Sequence, residues 1–95
     1  MTETIAKWVM RRYALLYNKF KEKEITFKEI DLCLNKDSRI NSLIINELKK
    51  AGWLTARKDP EEKRKRIYRL KSPIKIFEEI AVNKIKTEVK HEKIL

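Results

Sequence analysis

Apolar residues recur at helical spacing near the start of the chain. Between Thr4 and Phe20 they fall three or four positions apart, and neither glycine nor proline interrupts them. This pattern predicts a first helix. Thr2 or Thr4 can cap its start, because a threonine hydroxyl accepts a hydrogen bond from a free N–H of the first turn.

A second, shorter helix is predicted from about Phe27 to Leu34. Thr26 stands before it and Glu29 follows three positions later, which is the spacing of a capping box. Ile25 favours extended backbone, so a strand of a single bridge is expected just before this helix.

A third helix is predicted in "RINSLIINELKKA", after a cap at Asp37 or Ser38 and before Gly52, the only glycine of the chain. At 100° per residue, one face of this helix is apolar and is predicted to face the core. It comprises Ile40, Leu43, Ile44, Leu48 and Ala51. The opposite face holds Ser42, Asn46 and Lys49, flanked by Ser38, Arg39 and Ile45.

After Gly52 the period of the pattern changes from 3.6 to 2. "WLTARK" alternates, "DPEEKR" has turn composition, and "KRIYRLK" alternates again, which predicts a β-hairpin with a charged tip. Ser72 and Pro73 then form an N-cap followed by proline at the first helical position. The last helix that follows carries an apolar stripe of Ile74, Phe77, Ala81, Ile85 and Val89.

The predicted order of elements is helix, short strand, helix, helix, strand, loop, strand and helix. This order is mainly α with a β-hairpin, and it is that of a winged helix-turn-helix. At 95 residues the chain has room for one core, so residues 1–95 are predicted to be a single winged-helix domain. Its parts would be a helix-turn-helix at 26–51, a wing hairpin at 53–71 and a C-terminal helix at 73–90.

The charge of the chain is positive and uneven. The net charge is +10, and residues 37–71 carry eleven basic against five acidic side chains, a local excess of six. Clustered positive charge is typical of proteins that bind a polyanion. The chain is also rich in Lys and Glu and has no glutamine, a composition typical of proteins from heat-adapted organisms.

In a winged helix the third helix enters the major groove and the hairpin reaches phosphates or the adjacent minor groove. The predicted DNA-binding residues of the recognition helix are Ser38, Arg39, Ser42, Asn46 and Lys49. Those of the wing are Arg57, Lys63, Arg64, Lys65 and Arg66, of which Arg64 is the most favoured. The alternative is that both sets form an ordinary solvated surface, which Glu61 and Glu62 favour in the wing.

Little in the chain indicates catalysis or a bound cofactor. His91 is the only histidine and stands without a nucleophile pattern, and Cys33 is the only cysteine, expected to be a small buried apolar residue. No glycine-rich phosphate loop and no metal-ligand cluster is present in the sequence. We therefore expect no enzyme activity, no cofactor, no metal and no membrane segment, and a cytoplasmic location.

The stretch "LKKAGWLTARKDPEEKRKRIYRLKSP" resembles the recognition-helix end and wing of MarR- and PadR-like transcription regulators. Their pattern of leucine, basic pair, glycine, two apolar residues, strand, Asp-Pro, arginine-rich tip and Tyr-x-Leu is matched at Leu48, Gly52, Trp53, Leu54, Asp59, Pro60, Arg64, Tyr68 and Leu70. The resemblance covers about half of the chain. It implies a phosphate or minor-groove contact for Arg64 and a homodimer formed by the N- and C-terminal helices.

Two hypotheses follow. The first is a sequence-preferring protein that binds double-stranded DNA and regulates transcription. The second is an accessory subunit that holds another protein through Trp53, Ile45 and the C-terminal helix. "AKWVMRRYALLYNKFKEKEITF" is similar to archaeal helix-turn-helix modules found with minimal nucleotidyltransferases, which implies such a partner in a toxin–antitoxin-like pair. RNA binding is disfavoured, because no stacking sheet of aromatic residues is predicted.

Overall fold

The computed structural model describes residues 2–35 and 37–82. Its helices and strands are α1 (Lys7–Phe20), β1 (Ile25–Thr26), α2 (Phe27–Leu34), α3 (Ser38–Lys50), β2 (Leu54–Lys58) and β3 (Arg66–Leu70). A last helix, α4, occupies residues 73–82 of the described chain. The predicted fold class, mainly α with a β-hairpin, is confirmed.

The start and stop residues of the helices explain most of these bounds. The Glu29 N–H donates to the Thr26 hydroxyl, and the Thr26 N–H donates to the Glu29 carboxylate at 3.1 Å, so the predicted capping box opens α2. Gly52 follows the end of α3 with φ of 81°, where a side chain would clash. The next N–H, of Trp53, returns to the Leu48 carbonyl at 2.9 Å and closes the helix.

The first helix begins differently from the prediction. Its N-cap is Ala6, which offers no side-chain hydrogen bond. The hydroxyl of Thr2 instead donates to the Glu79 carboxylate and accepts from the Lys71 ammonium at 3.0 Å. Thr2 therefore joins the start of the chain to α4, and the prediction that it caps α1 is wrong.

The three strands form one antiparallel sheet in the order β1-β3-β2. Leu54 lies opposite Leu70 and Lys58 opposite Arg66, while the short strand pairs Ile25 with Tyr68. The central strand thus ties the hairpin to the entrance of α2, which fixes the wing relative to the helix-turn-helix.

The core lies where α1, α2 and α3 meet the base of the hairpin. Its fully buried side chains include Leu16, Ile30, Ile44, Leu48 and Leu70. Trp53 meets the Tyr13 ring edge-on and donates from its indole N–H to the Glu3 carbonyl at 2.6 Å. Burial raises the pKa of Tyr13, whose hydroxyl donates to the Lys71 carbonyl. Cys33 is half-buried beside this core.

The predicted core face of α3 is wrong, because the observed core face is rotated about the helix axis relative to it. Ile44, Leu48 and Ala51 are buried as expected, but Ile40 and Leu43 are exposed. Asn41 and Ile45 are buried in their place. The cause is polar: the Asn41 amide donates to the Asp31 carboxylate of α2, and this bond turns Asn41 inward. An apolar count could not anticipate a buried asparagine.

Two residues proposed above to hold a partner protein are buried. Trp53 is 3% exposed and Ile45 is 6% exposed, so neither can form an exposed docking surface. That part of the second hypothesis is wrong, because both side chains belong to the buried core, where Trp53 packs against Tyr13 of α1.

The described part of α4 packs through Ile76, which is buried, and through the partly buried Ile80. The predicted stripe residues Ile74 and Phe77 point away and are 71% and 61% exposed. Ile85, Val89, His91 and the remainder of the predicted helix at 83–90 lie outside the described residues. Within residues 2–35 and 37–82, no helix is both long and apolar enough to cross a bilayer.

Candidate nucleic-acid interface

The orientation of α3 is set at its first turn by hydrogen bonds to α2. Asp37 is the N-cap, and its carboxylate accepts from the Arg39 N–H at 2.8 Å. The Ser38 hydroxyl donates to the two carboxylate oxygens of Asp31 at 3.2 and 3.4 Å, and Asn41 donates to the same carboxylate one turn on. Asp31 therefore holds the two helices at a fixed angle, with the outer face of α3 in solvent.

The outer face of α3 carries the residues of this helix that are predicted to contact DNA. Arg39, Ser42, Asn46 and Lys49 are all exposed, and so is Lys50. Ser38 is exposed as well, but its hydroxyl is engaged with Asp31. The other predicted residues on this face offer hydroxyl, amide or cationic groups, which suit both base edges and phosphates.

A groove separates the outer face of α3 from the wing, and we call it the wing groove. Its open volume is about 260 Å³. It is lined by Phe27, Ser42, Ile45, Asn46, Lys49, Ala56, Arg66 and Tyr68. Four residues predicted from sequence to bind DNA, three of α3 and one of β3, thus come together across this groove.

The alternation of β2 and β3 explains why Arg66 lies in the wing groove. Ala56 and Tyr68 are opposite one another and both line the groove, so Arg66, two positions before Tyr68, projects from the same side of the sheet. Lys58, paired with Arg66, shares that side. The hairpin therefore presents two cations on the side of the sheet that faces α3.

Arg57 lies on the other side of the sheet, away from the wing groove. It forms a salt bridge with Glu24, and Arg69 approaches the same carboxylate at 3.5 Å. Of the wing residues predicted from sequence, Arg57 is therefore the one that the fold separates from the others. A charge count cannot detect this, because the acidic partner comes from the segment before β1.

The tip of the wing joins the strands with a turn built on Asp59. Its carboxylate accepts from the Glu61 N–H at 2.9 Å, and its N–H donates to the Lys65 carbonyl at 2.9 Å. One of the three acidic residues of the tip is thereby engaged in local structure. Lys63, Arg64 and Lys65 stay exposed.

A second cleft, of about 350 Å³, lies between the wing and the start of α2. Lys28 faces Arg64, Lys65 and Arg66 across it. Sequence reasoning missed Lys28 as an interface residue, since only the antiparallel pairing of β1 with β3 brings the start of α2 beside the wing. Lys58 was missed for a related reason, because its side of the sheet follows from the register.

The cations around the wing groove and the cleft are not neutralised by described acidic side chains. The salt bridges within residues 2–35 and 37–82 are those of Glu24 with Arg57 and Arg69, and of Lys71 with Glu79. None involves Lys28, Arg39, Lys49, Lys50, Lys58, Lys63, Arg64, Lys65 or Arg66. Lys49 and Arg66 line the wing groove, and Lys28, Arg64 and Lys65 line the cleft, without a salt bridge to a described acidic side chain. Within the same ranges, no three His, Cys, Asp or Glu side chains are grouped to hold a metal ion.

Comparison with solved structures identifies the arrangement. A mutant of MepR from S. aureus, bound to an oligodeoxyribonucleotide, superposes with a TM-score of 0.61 at 19% identity, over 95% of this chain and 64% of MepR. The chain has the winged-helix fold. FabT from Streptococcus pneumoniae, in complex with DNA, gives a TM-score of 0.59 at 16% identity, over 95% of this chain and 59% of FabT. These neighbours are MarR/MepR-type winged-helix regulators, so the resemblance found in the sequence is confirmed for the fold.

A sequence relative places a similar segment in a larger protein. Over 64 residues the chain is 33% identical to the methylase subunit of the type I restriction enzyme MjaVII from Methanocaldococcus jannaschii. The match takes in 64% of this winged-helix chain but only 11% of that subunit. No protein-family model matches the chain.

Proposed function

We propose that this protein binds double-stranded DNA with a sequence preference and regulates transcription. In this proposal α3 enters the major groove, and the wing lies along phosphates or in the adjacent minor groove. In this proposal the protein works in the cytoplasm, and binding requires neither a cofactor nor a catalytic step.

The observation that carries the proposal is the uncompensated charge on two sides of the wing groove. Arg39, Lys49 and Lys50 stand on α3, and Arg66 stands across from them on β3. Phosphates line both edges of a DNA groove, so cations separated by a cleft can contact the backbone while Asn46 and Ser42 meet base edges. The DNA-bound state of the MepR and FabT structures supports this use of the fold.

The wing tip would add contacts that position the protein without reading sequence. Lys63, Arg64 and Lys65 project from the hairpin, and Lys28 adds a cation from α2 beside Arg64. Backbone contacts of this kind supply much of the affinity of a DNA-binding protein and make it depend on salt.

Charge reversal tests the proposal directly. The double variant Arg64→Glu and Lys65→Glu should abolish binding to duplex DNA at physiological salt, as measured by fluorescence anisotropy. A matched control reverses Lys7 and Lys23, two exposed residues of α1 and of the segment after it, with the same change in net charge. If both variants lost the same affinity for duplex DNA, the loss would follow from net charge alone, which would contradict a specific role of the wing.

We also propose that the protein acts as a homodimer through its N- and C-terminal helices. Ile74 and Phe77 lie one turn apart on α4 and are mostly exposed, and Trp8 of α1 is 44% exposed. Burying such apolar residues against a second copy would remove them from water. In sedimentation velocity, Phe77→Glu should change the sedimentation coefficient from that of a dimer to that of a monomer. Leu32→Glu, at an exposed leucine of α2, should leave it unchanged. A monomeric unsubstituted protein would refute the dimer.

A second candidate function is that of an accessory module that recruits an enzyme. The similarity to a segment of a DNA methylase subunit favours it, since such a module can serve a DNA-modifying partner. The exposed face of α4 would then hold the partner instead of a second copy. The Arg64→Glu and Lys65→Glu double variant distinguishes the two functions. It should lose DNA binding but keep the binding of a partner protein.

A further inference from the structure

The outer face of α3 contains one apolar residue among its polar ones. Asn41, Ile44, Ile45 and Leu48 are buried, which defines the inward direction of the helix. At 100° per residue, Arg39 points almost directly outward, and Leu43 lies about 30° to one side of that direction. Leu43 is 47% exposed.

The neighbours of Leu43 are those of a base-reading surface. Arg39 precedes it by four positions and Asn46 follows by three, so both are adjacent on the helix surface. Arg39 and Asn46 are exposed, and Lys50 continues the same face one turn later. Ile40 is also exposed but lies about 90° from the outward direction, on the side away from the wing.

Single exposed leucines are common on protein surfaces, so position decides the interpretation here. A leucine on a surface that meets DNA cannot hydrogen-bond to phosphates or to the donors and acceptors of base edges. Pressed against such groups, it would remove them from water without replacing their hydrogen bonds. The major groove offers one apolar group that suits it, the 5-methyl of thymine.

We propose that Leu43 contacts the 5-methyl group of a thymine and makes recognition depend on a thymine at one base pair of each half-site. The inference rests on the proposed function, because it requires α3 in the major groove. Arg39 and Asn46 would contact the flanking bases or phosphates, and Leu43 would bury the methyl between them. Leu43 is thereby a specificity-determining residue that the predicted phase of α3 had assigned to the core.

The test removes the methyl group and nothing else. A duplex enriched by the protein from a random pool is prepared with each thymine replaced in turn by deoxyuridine, which pairs identically but lacks the 5-methyl. For the unsubstituted protein, we expect one position per half-site at which the replacement weakens binding by about three- to tenfold. All other positions should change little.

The variant Leu43→Ala should bind the thymine and deoxyuridine duplexes equally at that position. Ile40→Ala is the matched control and should keep the full sensitivity, since its side chain lies off the reading face. Thermal melting establishes that both variants are folded. Sensitivity retained by Leu43→Ala, or the absence of any sensitive thymine, would overturn the inference while leaving DNA binding in place. Failure to enrich any duplex would instead refute DNA recognition itself, and with it this inference.

Discussion

Replacing Asp31 with alanine should loosen the helix-turn-helix, because its carboxylate joins α2 to α3. It accepts hydrogen bonds from the Ser38 hydroxyl and from the Asn41 amide. The Asn41 side chain is fully buried, so water cannot replace the lost acceptor without entering the core. The variant therefore removes the carboxylate acceptor of a buried amide donor.

The expected magnitude follows from the loss of this buried hydrogen bond to a charged acceptor. A buried polar group that loses its hydrogen-bond partner costs about 1–3 kcal/mol, and bonds to a charged acceptor lie in the upper part of the range. For a chain of this size, about 2 kcal/mol lowers the melting temperature by roughly 8–16 °C. Asp31→Asn retains a carbonyl oxygen that can accept from Asn41, so its cost should stay below about 1 kcal/mol.

Urea denaturation followed by circular dichroism measures these free energies of unfolding. Leu32→Ala is the matched control on the same helix, at an exposed neighbouring position, and should change stability by less than about 0.5 kcal/mol. The double variant Asp31→Ala with Asn41→Ala should cost less than the sum of the two single variants, since each single change removes the same bond. Strict additivity, or equal stability of the alanine and asparagine variants of Asp31, would refute the proposed link.

Three further predictions concern the contacts of Glu79 with Thr2 and Lys71, the glycine after α3, and the wing. The Lys71 ammonium and the Thr2 hydroxyl hold the pKa of Glu79 below its ordinary value of 4.5, so this contribution to stability is present above that pH and disappears as the pH falls through the lowered value. In acid denaturation, the Glu79→Gln variant should therefore lose less stability than the unsubstituted protein as the pH falls through this range. Gly52→Ala should lower the free energy of unfolding by about 1–2 kcal/mol, because φ at this position is 81°. Thermal melting checks this, and an unchanged melting temperature would contradict it. Arg57→Ala should weaken DNA binding less than Arg66→Ala does in anisotropy titrations, because Glu24 holds Arg57 on the far side of the sheet; the reverse order would contradict this placement.

The parts of the fold that depend on neighbouring residues in the chain were predictable. The capping box at Thr26, the glycine after α3 and the Ser72 cap each satisfy free backbone groups within a few residues of themselves. The change from period 3.6 to period 2 likewise located the hairpin. These features need no knowledge of what the elements pack against.

The features that failed depend on contacts between distant segments. Asn41 is buried because Asp31 lies ten residues earlier on another helix, and this rotates the core face of α3 so that Leu43 emerges on the surface. Arg57 pairs with Glu24, thirty-three positions away, on the side of the sheet opposite the wing groove. Lys28 joins the candidate interface only because β1 pairs with β3. Helical periodicity and local charge give no information about contacts between segments that are distant in the sequence.

The dependence of duplex binding on salt is the most direct measurement of DNA recognition through uncompensated cations. The logarithm of the association constant should fall linearly with the logarithm of salt concentration, with a slope of about −0.9 for each phosphate neutralised. With about six contacts from α3 and the wing, the slope should lie near −5, and Arg64→Ala should reduce its magnitude by about one. A slope near zero, or one that Arg64→Ala leaves unchanged, would contradict the proposed interface.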